Sequence, residues 1–203
     1  MYILNRDDFR ATNTNRVVEF VECWERYYRG NDLEYFAELN LGNDLTQQNI
    51  TRLLRWKDPR FLTHPKQKGD GPNEHVTRVI ERIVSINSFR NGNLTADDFG
   101  KITQRIFPTG IVWRLFLFHV ARPADWPIAD RNVFRSYAVL FNATVPNSIN
   151  TFRSYADTFQ ELAAKLRSAG GINDADPELV VRANKRLDSA LVAFGQFLAT
   201  YDH

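Results

Sequence analysis

The sequence predicts an all-α fold, a compact bundle of about nine helices in a single domain with at most two helical lobes. Three observations predict it. Apolar residues recur at helical spacing through most of the chain, whereas strand-like alternation is sparse. Helix-starting and helix-stopping residues bracket these periodic stretches at short intervals. With 43% hydrophobic and 25% charged residues over 203 positions, the chain can fill one core, and its balance argues against disorder.

The elements follow in order. Val17, Phe20, Val21 and Trp24 share one face of a helix from Asn15 to Tyr28. Gly30-Asn31-Asp32 ends it and caps a short helix from Leu33 to Leu39. After the turn Gly42-Asn43, Thr46 caps a helix carrying Ile50, Leu53, Leu54 and Trp56, which stops near Asp58-Pro59. Three prolines, Gly69, Gly71 and several charges, Lys66 and Lys68 among them, make 59–73 a long loop. One helix then carries Val76, Val79, Ile80, Ile83 and Ile86 as far as Asn91-Gly92-Asn93.

Thr95-Ala96-Asp97-Asp98, close to a capping box with Asp in place of Glu, opens the next helix, which ends before Phe107-Pro108. Ile111 to Val120 is the most apolar stretch and reads as a buried helix. The turn Arg122-Pro123-Ala124-Asp125-Trp126-Pro127 follows, and then a helix from Asp130 to Phe141. Two long helices, Thr151 to Arg167 and Pro177 to Thr200, complete the chain across Gly170-Gly171-Ile172-Asn173. Asp176-Pro177-Glu178 supplies a cap, a first-turn proline and a first-turn acid.

Several chemistries are excluded or poorly supported. Cys23 is the only cysteine, so one thiol builds no intrachain disulfide, cysteine-rich zinc site or iron–sulfur cluster, and a reducing cytoplasm suits such usage. Met1-Tyr2-Ile3-Leu4 turns polar at once, and no run of eighteen apolar residues occurs, so neither a signal peptide nor a membrane partner is expected. His64 and His75 lack a convincing acidic partner for a metal. Glycine-rich nucleotide loops and a Gly-x-Ser-x-Gly elbow are missing, and no cofactor is expected. Ser88 to Asn93 reads as turn chemistry.

The net charge of +2 conceals an uneven distribution. From Lys101 to Arg153 there are seven basic and two acidic residues, net +5, against −3 for the rest of the chain. Such a bias suits a polyanion partner, although scatter in a mixed-charge surface would produce it too.

Within that basic segment lies the constellation of greatest interest. A helix ends at Ile106, Phe107-Pro108-Thr109-Gly110 makes a tight turn, and a second helix begins at Ile111. Pro127-Ile128-Ala129-Asp130-Arg131-Asn132-Val133-Phe134-Arg135 opens a third, with Asp130 twenty residues beyond Gly110. This order resembles the helix-hairpin-helix superfamily of DNA base-excision glycosylases over about forty residues, with Pro127, Asp130, Asn132, Val133 and Arg135 in register.

The resemblance implies a role for each part. Backbone N–H groups of Thr109, Gly110 and Ile111 would hold a phosphate of double-stranded DNA, as helix-terminal donors can. Asp130 would stabilise the cationic sugar as the base leaves, or position the attacking water. The target base would be extruded from the stack into a pocket that includes Trp113, His119 and Trp126. Arg131 and Arg135 are the accompanying phosphate contacts, with Arg122 a further candidate. Of the hairpin's two glycines only the second, Gly110, is present. The residues after the hairpin, Ile111-Val112-Trp113-Arg114, include no Schiff-base lysine, so the implied enzyme is monofunctional. It would act as a monomer, in repair or in defence against modified foreign DNA.

Each residue also has a structural reading. Asp130 stands where a helix N-cap belongs, and Gly110 where a turn needs a small residue. Trp113, Phe116, Leu117 and Val120 fit a core stripe, and His119 fits a hydrogen-bonded interior histidine. Trp126 can staple the following helix. Accordingly, a non-catalytic DNA-binding module and a protein-interaction domain stand beside the glycosylase as alternatives.

Overall fold

Start signals in the sequence become hydrogen-bonded helix caps in the computed structural model, which describes residues 14–59 and 74–200. Among the described residues there are ten α-helices, one 3-10 turn and no strand. The helices are α1 (Thr14–Trp24), α2 (Asp32–Glu38), α3 (Gln47–Lys57), α4 (Glu74–Ile80) and α5 (Ile83–Arg90). After them come α6 (Ala96–Ile106), α7 (Ile111–Ala121), α8 (Arg131–Phe141), α9 (Ile149–Ala169) and α10 (Pro177–Ala199). The N-cap side chains of Thr46, Thr95, Asp130, Ser148 and Asp176 accept first-turn N–H groups, which would otherwise lack partners inside the helix.

Two sequence expectations change. The single helix expected from Glu74 to Arg90 is two, which gives ten helices in place of nine. At the break the Arg82 N–H donates to Val79 O, three residues back, and Arg82 leaves the helical region (φ −105°, ψ 15°). The first helix ends at Trp24, and Glu25–Tyr27 tightens into the 3-10 turn. The loop expected over 59–73 lies, after Pro59, outside the described residues, as do His64, Lys66 and Lys68.

The chain divides into two compact units. Gly30–Pro123 forms one, holding α2 to α7. Phe89, Phe99 and Phe118, all fully buried, pack ring against ring at its centre, with centroids 4.4–5.3 Å apart. Around them, Arg90 gathers the helix ends. Its guanidinium donates to Leu39 O and Asn40 O (both 2.8 Å), and to Val120 O (3.2 Å) and Ala121 O (3.4 Å). The buried Glu38 carboxylate is held by Arg52 (2.6 Å) and Asn49 (2.9 Å).

The second unit joins the chain up to Arg29 with Ala124 onward, holding α1 and α8 to α10. Here α8 and α10 run antiparallel and very close. Ser136 Oγ donates to Leu191 O at 2.6 Å, and one turn earlier on α8 Asn132 meets Gly195. A Cβ at Gly195 would lie 2.0 Å from Asn132 O, so only glycine permits this crossing. Phe20 and Trp24 of α1 pack on Phe194, and Arg186 pairs with Glu25 at 2.8 Å.

Candidate functional site

The sequence candidates divide between the units: Thr109, Gly110, Ile111, Trp113 and His119 belong to Gly30–Pro123, and Trp126, Asp130, Arg131 and Arg135 to the other. In the first unit, α6 closes with the Phe107 N–H on Thr103 O (2.9 Å), and Pro108 cannot extend the helix. The buried Phe107 ring, set between Trp113 (6.1 Å) and His75 (5.2 Å), anchors the turn. Pro108 and Thr109 are exposed. Gly110 is the N-cap of α7, with no side-chain cap, and its φ of −90° is open to any residue. The Ile111 N–H donates to Thr109 O at 3.2 Å.

Trp113 is half-buried, edge-on to Phe116 at 6.2 Å. His119 is buried, with Nε2 2.7 Å from the Tyr35 hydroxyl and the two rings stacked at 5.8 Å. Its ring therefore takes part in packing and hydrogen bonding inside this unit, the structural role the sequence also allows. Arg114 gained no role from the sequence beyond not being a lysine. Its Nε is buried without a hydrogen-bond partner, and burial pushes the guanidinium below its usual range. A cation in the first turn of α7, after Gly110, is the signal that could have found it.

In the second unit, Asp130 is half-buried and caps α8, accepting the Asn132 N–H at 2.8 Å. The turn before it is pinned from two helices. Gln160 Nε2 donates to Ala124 O (2.8 Å) and Asp125 O (3.0 Å), and Asn184 Nδ2 donates to Ala124 O (3.1 Å). Trp126, half-buried, lies parallel to Phe152 at 5.9 Å. Arg131 is exposed. Arg135 donates to Asn132 Oδ1 (3.0 Å) and Gly195 O (3.1 Å), so it helps lock the α8–α10 crossing. The carboxylate of Asp130 is thus carried on a helix start that Gly195, Arg135, Gln160 and Asn184 together hold in place.

The same unit contains a polar cluster missed by the sequence reading. Lys185 Nζ lies 3.2 Å from Asp188 Oδ2, and both side chains are almost wholly buried. The ammonium also donates to Ser189 Oγ (2.8 Å) and sits 4.1 Å from the centre of the Tyr28 ring. A buried ion pair is weak evidence of stability and marks a place to look for function. The signal lay in α10 itself, where Lys185 and Asp188 share the helical stripe of Val181, Val192 and Gly195. Close by, the Tyr155 hydroxyl is fully buried with no hydrogen-bond partner.

Among the described residues no group of three His, Cys, Asp or Glu is placed to hold a metal, and no helix is long and apolar enough to cross a membrane. No family model matches the chain, and no curated protein or solved structure is significantly similar to it.

Proposed function

We propose that this protein is a monofunctional DNA glycosylase of the helix-hairpin-helix type, which hydrolyses the bond between a deoxyribose and an extruded, damaged or modified base. The observation that carries the reading is the placement of Asp130. A carboxylate twenty residues beyond a tight interhelical turn caps a helix whose start is fixed from several directions. Glycosidic hydrolysis needs such a group, because the sugar becomes cationic as the base departs and a preorganised anion stabilises it. The turn Pro108-Thr109-Gly110 and the uncapped start of α7 supply the hairpin of the reading, with Arg114 adding positive charge for a phosphate. The net charge of +5 between Lys101 and Arg153 favours a polyanion.

The test compares wild type and Asp130→Asn on duplex DNA carrying a panel of modified bases, measuring base release and binding. Asparagine is as good an N-cap as aspartate, so the variant keeps the helix start. Release by wild type, lost by at least about 100-fold in the variant with binding retained, supports the enzyme. Binding without release by either protein makes the chain a non-catalytic DNA-binding module. Absence of binding at low salt overturns both and leaves a protein-interaction domain.

A further inference from the structure

Tyr35 and His119 form a pair sealed inside the unit Gly30–Pro123. Tyr35 is 1% exposed and His119 3%, and the phenol oxygen lies 2.7 Å from His119 Nε2. A phenol that loses an electron becomes a very strong acid. In a buried site its proton can leave only to a base already in hydrogen-bond contact, and a neutral imidazole is such a base. Tyr155 supplies the contrast: it is equally buried, but its hydroxyl has no hydrogen-bond partner to receive the proton. The electron also has a path. The Trp56 ring lies 4.7 Å from the Tyr35 ring, centroid to centroid, and is only half-buried, so it joins the pair to the solvent. Rings in van der Waals contact exchange electrons readily. Trp56 is a poor place for the oxidation to stay, because its Nε1–H donates to Asn31 O at 2.7 Å and a carbonyl is too weak a base to take the proton. Lys57 acts in the same direction. Its ammonium lies 5.7 Å from the Phe116 ring, which stacks on Trp56 at 6.4 Å, and a positive charge there opposes an indole radical cation.

We propose that Tyr35 and His119 are a redox-active pair, oxidised through Trp56 by a one-electron oxidant of the class of peroxide-derived radicals. The inference goes beyond the glycosylase reading and does not depend on it. In the step, the oxidant takes one electron from the Trp56 indole and is reduced. The indole radical cation then takes one electron from Tyr35, as the phenolic O–H bond breaks and its proton bonds to His119 Nε2. The products are a restored Trp56, a neutral Tyr35 phenoxyl radical and a protonated His119. His119 stands in the last turn of α7, where the helix dipole favours a cation, an advantage that Arg90 at Val120 O and Ala121 O partly offsets. A one-electron reductant of the thiol or ascorbate class returns the electron through Trp56, and the proton goes back from His119 to the phenol. The pair gives an oxidation that strikes the surface a reversible resting place inside the fold.

Flash oxidation of the full chain by photoexcited ruthenium tris-bipyridine with a cobalt(III) quencher tests this, with electron paramagnetic resonance to identify the radical. Wild type is expected to give a long-lived neutral tyrosyl radical, which Tyr35→Phe removes and Tyr155→Phe leaves in place. Exposed tyrosines such as Tyr27, 54% exposed, give short-lived signals that decay first. Trp56→Phe should lower the yield of the long-lived radical, because the first electron donor is lost. His119→Gln keeps a hydrogen-bond acceptor beside Tyr35 but no base, so a folded variant should lose the long-lived radical as completely as Tyr35→Phe does. A long-lived radical that survives Tyr35→Phe, or that forms equally well in His119→Gln, overturns the proposal. A measurement on wild type alone decides the matter where a variant does not fold. The radical formed in protein prepared in heavy water should show the hyperfine coupling of a deuteron held between the phenoxyl oxygen and the imidazole, in place of the proton coupling seen in ordinary water. A tyrosyl radical without such a coupling, or a long-lived signal that belongs to tryptophan, overturns the inference.

Discussion

Gly195 and Gly110 differ sharply in what a methyl group would meet. At Gly195 the added Cβ would lie 2.0 Å from Asn132 O and 2.6 Å from Asn132 C, both backbone atoms of α8 that cannot swing aside. At Gly110 the nearest atoms are side-chain carbons of Phe107 and Trp113 at 3.4 and 3.7 Å, an ordinary contact. Gly195→Ala should therefore destabilise by about 3 kcal/mol, because α8 and α10 must separate. Gly110→Ala should cost less than about 1 kcal/mol, the ordinary preference for glycine over alanine at an N-cap. Urea melts of the two variants check this, and similar losses would refute the account of the crossing. The contrast bears on function too. If the proposed glycosylase reading holds, Gly195→Ala should reduce base release more than its stability loss explains, because the Gly195 crossing sets where α8 and its cap Asp130 start.

Among the helices, Arg90 carries an unusual burden. Carbonyls at the C-terminal ends of α2 and α7 point toward one guanidinium, which meets both the hydrogen-bonding need and the negative end of each helix dipole. Burial lowers the pKa of Arg90 and the charge of Asp44 acts against that, but arginine remains charged throughout the working range. Arg90→Met should destabilise by about 3 kcal/mol, and Arg90→Lys should recover less than half, because a point charge cannot bridge four carbonyls. Thermal melts at matched pH measure both. From sequence this segment reads only as a turn, since the carbonyls it serves lie 30 to 51 residues away. Local signals fared differently. The caps at Thr46, Asp130 and Asp176 were legible because a cap is a contact between near neighbours. The break between α4 and α5 was not legible, because Glu81 and Arg82 are exposed polar residues with no glycine or proline to announce a step. Ser148, the cap of α9, lies three residues before the start expected at Thr151, its partner in the capping box.

At the scale of the molecule, the all-helical architecture followed from periodicity, whereas the ties that fix the start of α8 did not, since Gln160, Asn184 and Gly195 come from helices 30 to 65 residues further on. The division into units has the same long-range origin: α1 belongs with the C-terminal helices, and Gly30–Pro123 is an insertion between them. Such an insertion is continuous in sequence, and several hydrogen bonds and ring contacts join its described residues to one another. Trp56 Nε1 donates to Asn31 O (2.7 Å), Asn87 both donates to and accepts from Leu45 (3.0 and 2.9 Å), and Tyr35 meets His119. Phe89, Phe99 and Phe118 and the Arg90 clamp lie in it too. A continuous segment with its own core and its own hydrogen bonds meets the requirement for folding alone. Residues 30–123 expressed by themselves should thus be helical by circular dichroism and unfold in one cooperative urea transition. Arg90→Met should lower the midpoint in this fragment as it does in the full chain. A fragment with no cooperative transition would mean that the ties within Gly30–Pro123 do not suffice, and that its stability depends on the rest of the protein.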